Sequence, residues 1–157
     1  MYTVAWFERV DRKITETLAQ VGIPALRVSL GVIFLWFGFL KFFPGLSSAE
    51  GLAVATIREL SFGLVPDSLS LLGIATIETA IGIGLILGVS LRAVLLLLWM
   101  QMIGTLTPLL LFPTETFTNF PWVPTLEGQY IIKNLILISA ALVIGATVRG
   151  GRLVAEK

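Results

Sequence analysis

The chain has 157 residues, of which 56% are apolar and 13% charged, and its mean hydropathy is +0.94. An average soluble domain is roughly 45–50% apolar and about 25% charged, and a soluble fold of this length cannot hide so much apolar surface. The composition argues against a soluble enzyme, and equally against disorder, which requires low hydrophobicity and high charge. A net charge of +1 leaves no nucleic-acid footprint. Cys and His are both absent. That removes disulfides, thiol chemistry, zinc and copper centres, iron–sulfur clusters, ordinary haem ligation and His-based triads, so no metal site is expected.

Residues 4–21 make the first element. Val4, Phe7, Val10, Ile14, Leu18 and Val21 recur at helical spacing, with Glu8, Arg9, Asp11, Arg12, Lys13 and Glu16 between them. The pattern predicts an amphipathic helix, lying on the membrane surface or packed on the end of a bundle. It is too polar for the apolar core of a cleavable signal peptide. Pro24 suits the first turn of a new helix, where its missing N–H costs little.

A hydrocarbon core of ~30 Å takes ~20 apolar residues as a helix. Four stretches meet that length: about 23–43, 68–87, 92–112 and 129–148. They are twice the length of a barrel strand and do not alternate apolar with polar, so helices are expected. Between the first two spans, Ser47 with Glu50 signals a capping box, and Ala53, Ile57, Leu60 and Leu64 share one face. A short exterior helix is expected there, with Asp67 or Ser68 capping span two. The turn at 88–91 is tight, which makes spans two and three antiparallel neighbours. Pro108 is expected to kink span three. Residues 113–128 hold three prolines with Phe117, Phe120 and Trp122, a composition that suits a structured interfacial cap. The expected fold is therefore all-α: residues 1–157 as a single membrane domain, a four-transmembrane-helix bundle with an N-terminal amphipathic interfacial helix and a short exterior helix between spans 1 and 2.

Orientation follows from the positive-inside rule. Eight of the eleven basic residues (Arg9, Arg12, Lys13, Arg27, Arg92, Arg149, Arg152 and Lys157) fall on the side of the 88–91 turn. Only Lys41, Arg58 and Lys133 fall on the other. Both termini are expected in the cytoplasm, with the two longer loops outside.

Ionisable groups within a span cost about 2.5–3.5 kcal/mol each on insertion scales, so each requires a reason. Glu78 lies about ten residues into span two, ~15 Å deep. Charged or neutral, its carboxyl needs a hydrogen-bonding partner there. Lys41 and Lys133 lie toward the outer ends of spans one and four. Pairing with Glu78 would make all three tolerable, either as a register-fixing ion pair or as the polar end of a binding site. Lys41 could instead snorkel to the headgroups. Gln101, Thr105 and Asn134 sit at matching depth. Thr105 and Thr107 could bond back to their own helix, and Gln101 could simply link two helices. Gly31 and Gly38 share a face with Arg27 and Lys41, and Gly82, Gly84 and Gly88 lie in span two; they signal close helix packing.

The stretches LRVSLGVIFLWFGFLKF (26–42), IETAIGIGLILGVSLR (77–92) and EGQYIIKNLILISAALVIG (127–145) resemble the DoxX-like family of small four-span membrane proteins. The tract TPLLLFPTE (107–115) with Lys133 and Asn134 is similar to a subgroup of bacterial inner-membrane proteins linked to reactive-chlorine resistance. The resemblance implies a four-helix membrane fold in a bacterial inner membrane. Some relatives are subunits of quinone-linked oxidoreductases, and others associate with oxidative-stress enzymes.

The combined expectation is a subunit that binds a quinone or lipid-like ligand in the outer half of the bundle, through Lys41, Glu78, Gln101, Thr105, Lys133 and Asn134. It would be at most a quinone-binding or non-catalytic subunit of an oxidoreductase, with no covalent cofactor. The bilayer, a redox enzyme or further copies of itself would be its partners. Two alternatives stand beside it: an assembly partner in which the ion pair only fixes packing, and a proton or anion transporter.

Overall fold

In the computed structural model, residues 2–47 and 50–151 are described, apart from the side chains of residues 2–5. Arg152, Lys157 and the Val4 side chain, all used in the sequence reading, lie outside the described residues. The helices are α1 (Tyr2–Leu40), α2 (Glu50–Leu60), α3 (Asp67–Leu87), α4 (Leu91–Leu106), α5 (Pro108–Leu111), α6 (Pro113–Thr116) and α7 (Leu126–Thr147). A two-stranded antiparallel ribbon, β1 (Phe117–Asn119) with β2 (Val123–Pro124), lies between α6 and α7. Four helical stretches are long and apolar enough to cross a bilayer: Trp6–Leu40, Asp67–Leu87, Leu91–Leu111 and Leu126–Thr147. The protein is a four-helix membrane bundle. Each crossing exposes most of its surface, as helices facing lipid rather than water do. The end of the bundle that carries the Gly88–Ser90 turn is called the turn side below, and the opposite end the loop side.

The sequence differs from the fold at its start. A surface helix separated from span one is expected, but α1 runs unbroken through Pro24. Proline removes one backbone hydrogen bond from a helix interior. Here α1 stays helical on both sides of Pro24 without that bond.

α1 and α3 form the tightest pair. A Cβ on Gly31 would stand 2.8 Å from Ile86 Cγ1, and one on Gly38 2.7 Å from both Glu78 Cβ and the Thr79 amide. A Cβ on Gly82 would collide with the Leu35 backbone. Three hydrogens in place of side chains thus let two backbones touch, as small residues do between membrane helices. Gly84 serves the opposite face of α3, beneath Val94 of α4. α4 then packs on α7, and α7 returns to α1.

Arg27 locks the turn-side end of this pair. Its Nη1 donates to the Leu85 carbonyl at 2.7 Å and the Ile86 carbonyl at 3.4 Å. These are end-of-helix carbonyls without intrahelical partners, and a cation is favoured at a helix C-terminus. Gly88, at φ 70°, closes the same end in the left-handed conformation, its N–H bonding to Gly84. Arg27 therefore does more than bias the charge of this side.

The buried core is not central. Leu30 and Phe34 of α1, Ile81 and Leu85 of α3, Leu95, Leu98 and Met102 of α4, and Ala141 and Ile144 of α7 form one cluster. Apart from Phe34 and Met102 at its edge, it fills the turn-side half. In the loop-side half, span three is interrupted at Thr107, just before Pro108. The Thr107 N–H and Oγ1 both donate to the Gly104 carbonyl, at 3.3 and 2.6 Å. The expected disturbance at Pro108 is present.

Two expected caps are replaced. Glu50 accepts the Gly45 N–H at 2.8 Å, tying the loop after α1 to the start of α2, rather than closing a box with Ser47. No side chain caps α3, because both Asp67 oxygens accept from Arg58 of α2.

Gly82→Val should drive α1 off α3. Overpacking of this kind costs about 1–3 kcal/mol or more, so unfolding in detergent should come at markedly lower temperature. Gly73→Ala, where a Cβ meets nothing within 4 Å, should leave the unfolding temperature within error of the parent.

Candidate functional site

The site begins where α1 ends. Lys41 follows the last residue of α1, and its N–H bonds back to the Gly38 carbonyl at 3.2 Å. One turn earlier, Gly38 holds the α1 backbone against Glu78. That approach lets the Lys41 side chain fold onto α3 instead of reaching for the headgroups. Its Nζ lies 2.6 Å from Glu78 Oε2 and donates more weakly to the Phe37 carbonyl, at 3.4 Å. The snorkelling reading is thereby overturned.

Gln101 of α4 completes the group. Its Nε2 donates to Glu78 Oε1 at 3.2 Å. A carboxylate only accepts, so the amide presents its NH₂ to it. Both oxygens of Glu78 are now engaged, one by a cation and one by a neutral donor. The side chains of Lys41 and Glu78 are each 12% exposed. Three helices converge on one carboxyl group.

The cluster is not sealed. It borders a cavity of about 310 Å³ that opens toward the loop side. Phe34 and Phe37 of α1, Met102 of α4 and Ile131 and Leu137 of α7 give it apolar walls. Lys41, Glu78, Thr105 and Asn134 supply polar groups, and Tyr130 and Glu127 stand on the α7 wall. Binding sites for small molecules have this form: mainly apolar, with a few convergent polar groups. The Thr105 hydroxyl donates to the Gln101 carbonyl at 2.9 Å, the back-bonding expected of a helical threonine. Its oxygen can still accept toward the cavity.

Five of the six sequence candidates meet here: Lys41, Glu78, Gln101, Thr105 and Asn134. The sixth does not. Lys133 is exposed, with its Nζ 5.4 Å from the centroid of the Tyr130 ring, a cation–π contact on the outside of the bundle. The reason is helical phase: successive residues turn by about 100°, so Asn134 facing the cavity carries Lys133 away from it. Tyr130 and Glu127 were missed, although they lie four and seven residues before Asn134 and so share its face.

The loop-side rim is built around a second close contact. A Cβ on Gly128, in the first turn of α7, would collide with the Thr116 carbonyl. That same carbonyl accepts the Thr125 N–H at 3.0 Å. Thr125 caps α7 by accepting from the Gly128 N–H at 3.2 Å and donates to the Glu115 carbonyl at 2.7 Å. These bonds pin the 113–125 segment onto α7 and hold Leu126, Glu127 and Tyr130 at the cavity mouth. A larger, more open depression, of about 580 Å³, lies between α2 and α3 beside Gly45, Glu50, Arg58 and Asp67. Its charged groups are engaged with one another or with backbone, so it offers a ligand less.

Breaking a buried pair from one side leaves an uncompensated charge, at a cost of about 3–5 kcal/mol. Lys41→Met should lower the unfolding free energy in bicelles by about 3 kcal/mol. Lys133→Met should change it by less than about 0.5 kcal/mol.

Comparison with known proteins agrees with this architecture. The DoxX family model matches residues 22–112, from the membrane half of α1 to the end of span three. No curated protein and no solved structure matches the chain. Since the matched region exceeds half of its length, the chain belongs to the DoxX family.

Proposed function

We propose that the protein is a membrane subunit that binds a quinone or a similar lipid-like molecule in the loop-side cavity. The observation that carries this reading is the Lys41–Glu78–Gln101 cluster at the edge of an apolar cavity within the bundle. A volume of about 310 Å³ is at the small end of ligand sites, which run from about 300 to 1,000 Å³. It suits a single ring or a headgroup, with any isoprenoid or acyl tail leaving between helices into lipid. A Lys ammonium donates to a ring or carboxyl oxygen, Asn134 can donate or accept, and Glu78 can take or return a proton when the ligand oxygen changes charge. Lys133 has no part in this reading.

The finer expectations belong to the same proposal. The basic side is cytoplasmic and the cavity opens outward, supported by the excess of Lys and Arg near the turn side. The membrane is a bacterial inner membrane, and the subunit serves a quinone-linked or oxidative-stress enzyme. Those two points rest on the resemblance of the 107–115 tract and of the segment with Lys133 and Asn134 to the reactive-chlorine-resistance subgroup.

One observation favours a second reading. Lys41, Glu78 and Gln101 partner one another, so they can act purely as a clamp among α1, α3 and α4, in a protein that only assembles others. The two readings separate when the clamp is replaced as a unit. Lys41→Met with Glu78→Leu removes both charges together, and such replacements are often neutral or stabilising.

Protein purified gently from its native membrane should carry a quinone or one defined lipid in its extract, at close to one molecule per chain by mass spectrometry. Asn134→Leu, which fills the cavity without touching the ion pair, should retain the fold and weaken the ligand at least tenfold, about 1.4 kcal/mol. A folded Lys41→Met/Glu78→Leu protein should lose the ligand too. If wild type and both variants extract only bulk lipid, the clamp reading replaces this one.

A further inference from the structure

Among the described residues, the exposed lining of the loop-side cavity comes from two helices. It consists of Ile33 and Phe37 of α1 and Leu126, Glu127 and Tyr130 of α7. The lining residues of α2, α3 and α4, and Ser47 ahead of α2, are all buried or half-buried. Packing runs from α1 to α3, from α3 to α4, from α4 to α7, and from α7 back to α1. The open flank of the cavity is therefore the gap between α1 and α7. It lies across the bundle from α3 and α4, which carry Glu78 and Gln101.

The same two helices are closed against the core at their other ends. On α1, Leu26, Leu30, Ile33 and Phe37 share a face within about 60°, at 100° per residue. Leu30 is part of the buried cluster and 2% exposed, and Leu26 packs against it; Phe37, on the same face, is 56% exposed. On α7 the face is Tyr130, Leu137, Ala141 and Ile144, again within about 60°. Ala141 and Ile144 are buried in the cluster, Leu137 borders both cluster and cavity, and Tyr130 is 57% exposed. Each face passes from packed to open toward the loop side, so the seam parts there. Phe37 and Tyr130 lie three and four residues inside the ends of their helices, ~4–6 Å deep, which sets the gap in the loop-side leaflet.

The gap and the inner wall differ in chemistry. Ile33, Phe37 and Leu126 are apolar, Tyr130 is a ring with one polar tip, and Glu127 stands in the first turn of α7, at the water end. An apolar opening onto lipid draws no ion out of water, but it admits a molecule already dissolved in the bilayer. Beyond it, Lys41, Glu78 and Asn134 supply polar groups. Apolar at the outer end and polar at the inner end is the polarity of an amphiphile lying head inward. We propose, on the strength of the binding reading above, that the ligand is an amphiphile with one small polar head and an apolar tail. It enters sideways from the loop-side leaflet between α1 and α7, and its tail stays in the gap against Phe37 and Tyr130.

Two probes test this in vesicles: phosphatidylcholine with a diazirine in one acyl chain, and a decyl-tailed benzoquinone. On irradiation the acyl chain should label Met102, which is buried but lines the cavity, and should spare Leu98, buried in the cluster alone. Saturating decylquinone should protect Met102. The chain has no cysteine, so Phe37→Cys and Tyr130→Cys can be joined across the gap by a bismaleimide. Joining them should lower Met102 labelling and slow decylquinone uptake, each at least tenfold. Joining Val54→Cys to Leu71→Cys, which bridges α2 and α3, should change neither. If decylquinone binds but Met102 is unlabelled, is not protected, or is labelled equally after the α1–α7 bridge, lateral entry is overturned and the binding reading survives. If the bridge closes off Met102 in a protein that takes up no quinone and carries no defined lipid, the binding reading fails, and the assignment of a ligand tail to the gap fails with it.

Discussion

Everything in this bundle depends on how closely α1 and α3 approach. The hydrophobic effect does not press helices together inside lipid, so packing and polar bonds must. Gly31, Gly38 and Gly82 remove the side chains that would hold the two backbones apart. Polar clamps then close the seam at two points: Arg27 on the Leu85 and Ile86 carbonyls, and Lys41 on Glu78. The glycines set the distance, and the cations fix the register.

From that pair the two halves of the bundle diverge. The turn side has a short connection, a left-handed Gly88 and most of the buried cluster of Leu, Ile and Ala. On the loop side the opposite conditions hold. Span three loses regular hydrogen bonding at Thr107, α1 ends at Leu40, and the 113–125 segment folds over the start of α7. Fewer apolar side chains interdigitate there, and the polar residues of the spans collect around the space that remains. The cavity thus follows from where the helices end and break, while the clamp follows from where α1 and α3 touch.

Much of this was legible in the sequence, because lipid enforces simple rules. Length and hydropathy locate three of the four spans, and the loop-side end of the first, to within a few residues, and the cost of an intramembrane carboxyl singles out Glu78 and requires a partner for it. The shared face of Arg27, Gly31, Gly38 and Lys41 is visible as helical spacing. What was not legible depends on rotation and on tertiary context. Lys133 and Asn134 are adjacent in sequence and only one can face the cavity; hydropathy does not say which. Pro24 reads locally as a helix start, yet α1 continues through it. Ser47 with Glu50 and Asp67 with Ser68 read as caps, but the Gly45 amide and Arg58 compete for those carboxylates and win.

The hydroxyl groups show how selective the site is. Thr56, Thr76, Thr105, Ser139 and Thr147 each donate to a carbonyl three or four residues earlier in their own helix, and Ser70 donates to the Pro66 carbonyl just ahead of α3. A hydroxyl that is satisfied within its helix asks nothing of a neighbour and can face lipid or core alike. Lys41, Glu78 and Gln101 are not provided for in this way, since their long side chains end beyond reach of most of their own backbone. They must find one another, and in doing so they place a charged pair beside the apolar cavity of the loop-side half. A clamp alone would be served as well in the packed half, where Arg27 already works on backbone carbonyls without any carboxylate. Setting a titratable pair at the edge of a cavity is the costlier arrangement, and it is the position of that pair, more than its existence, that argues for a ligand.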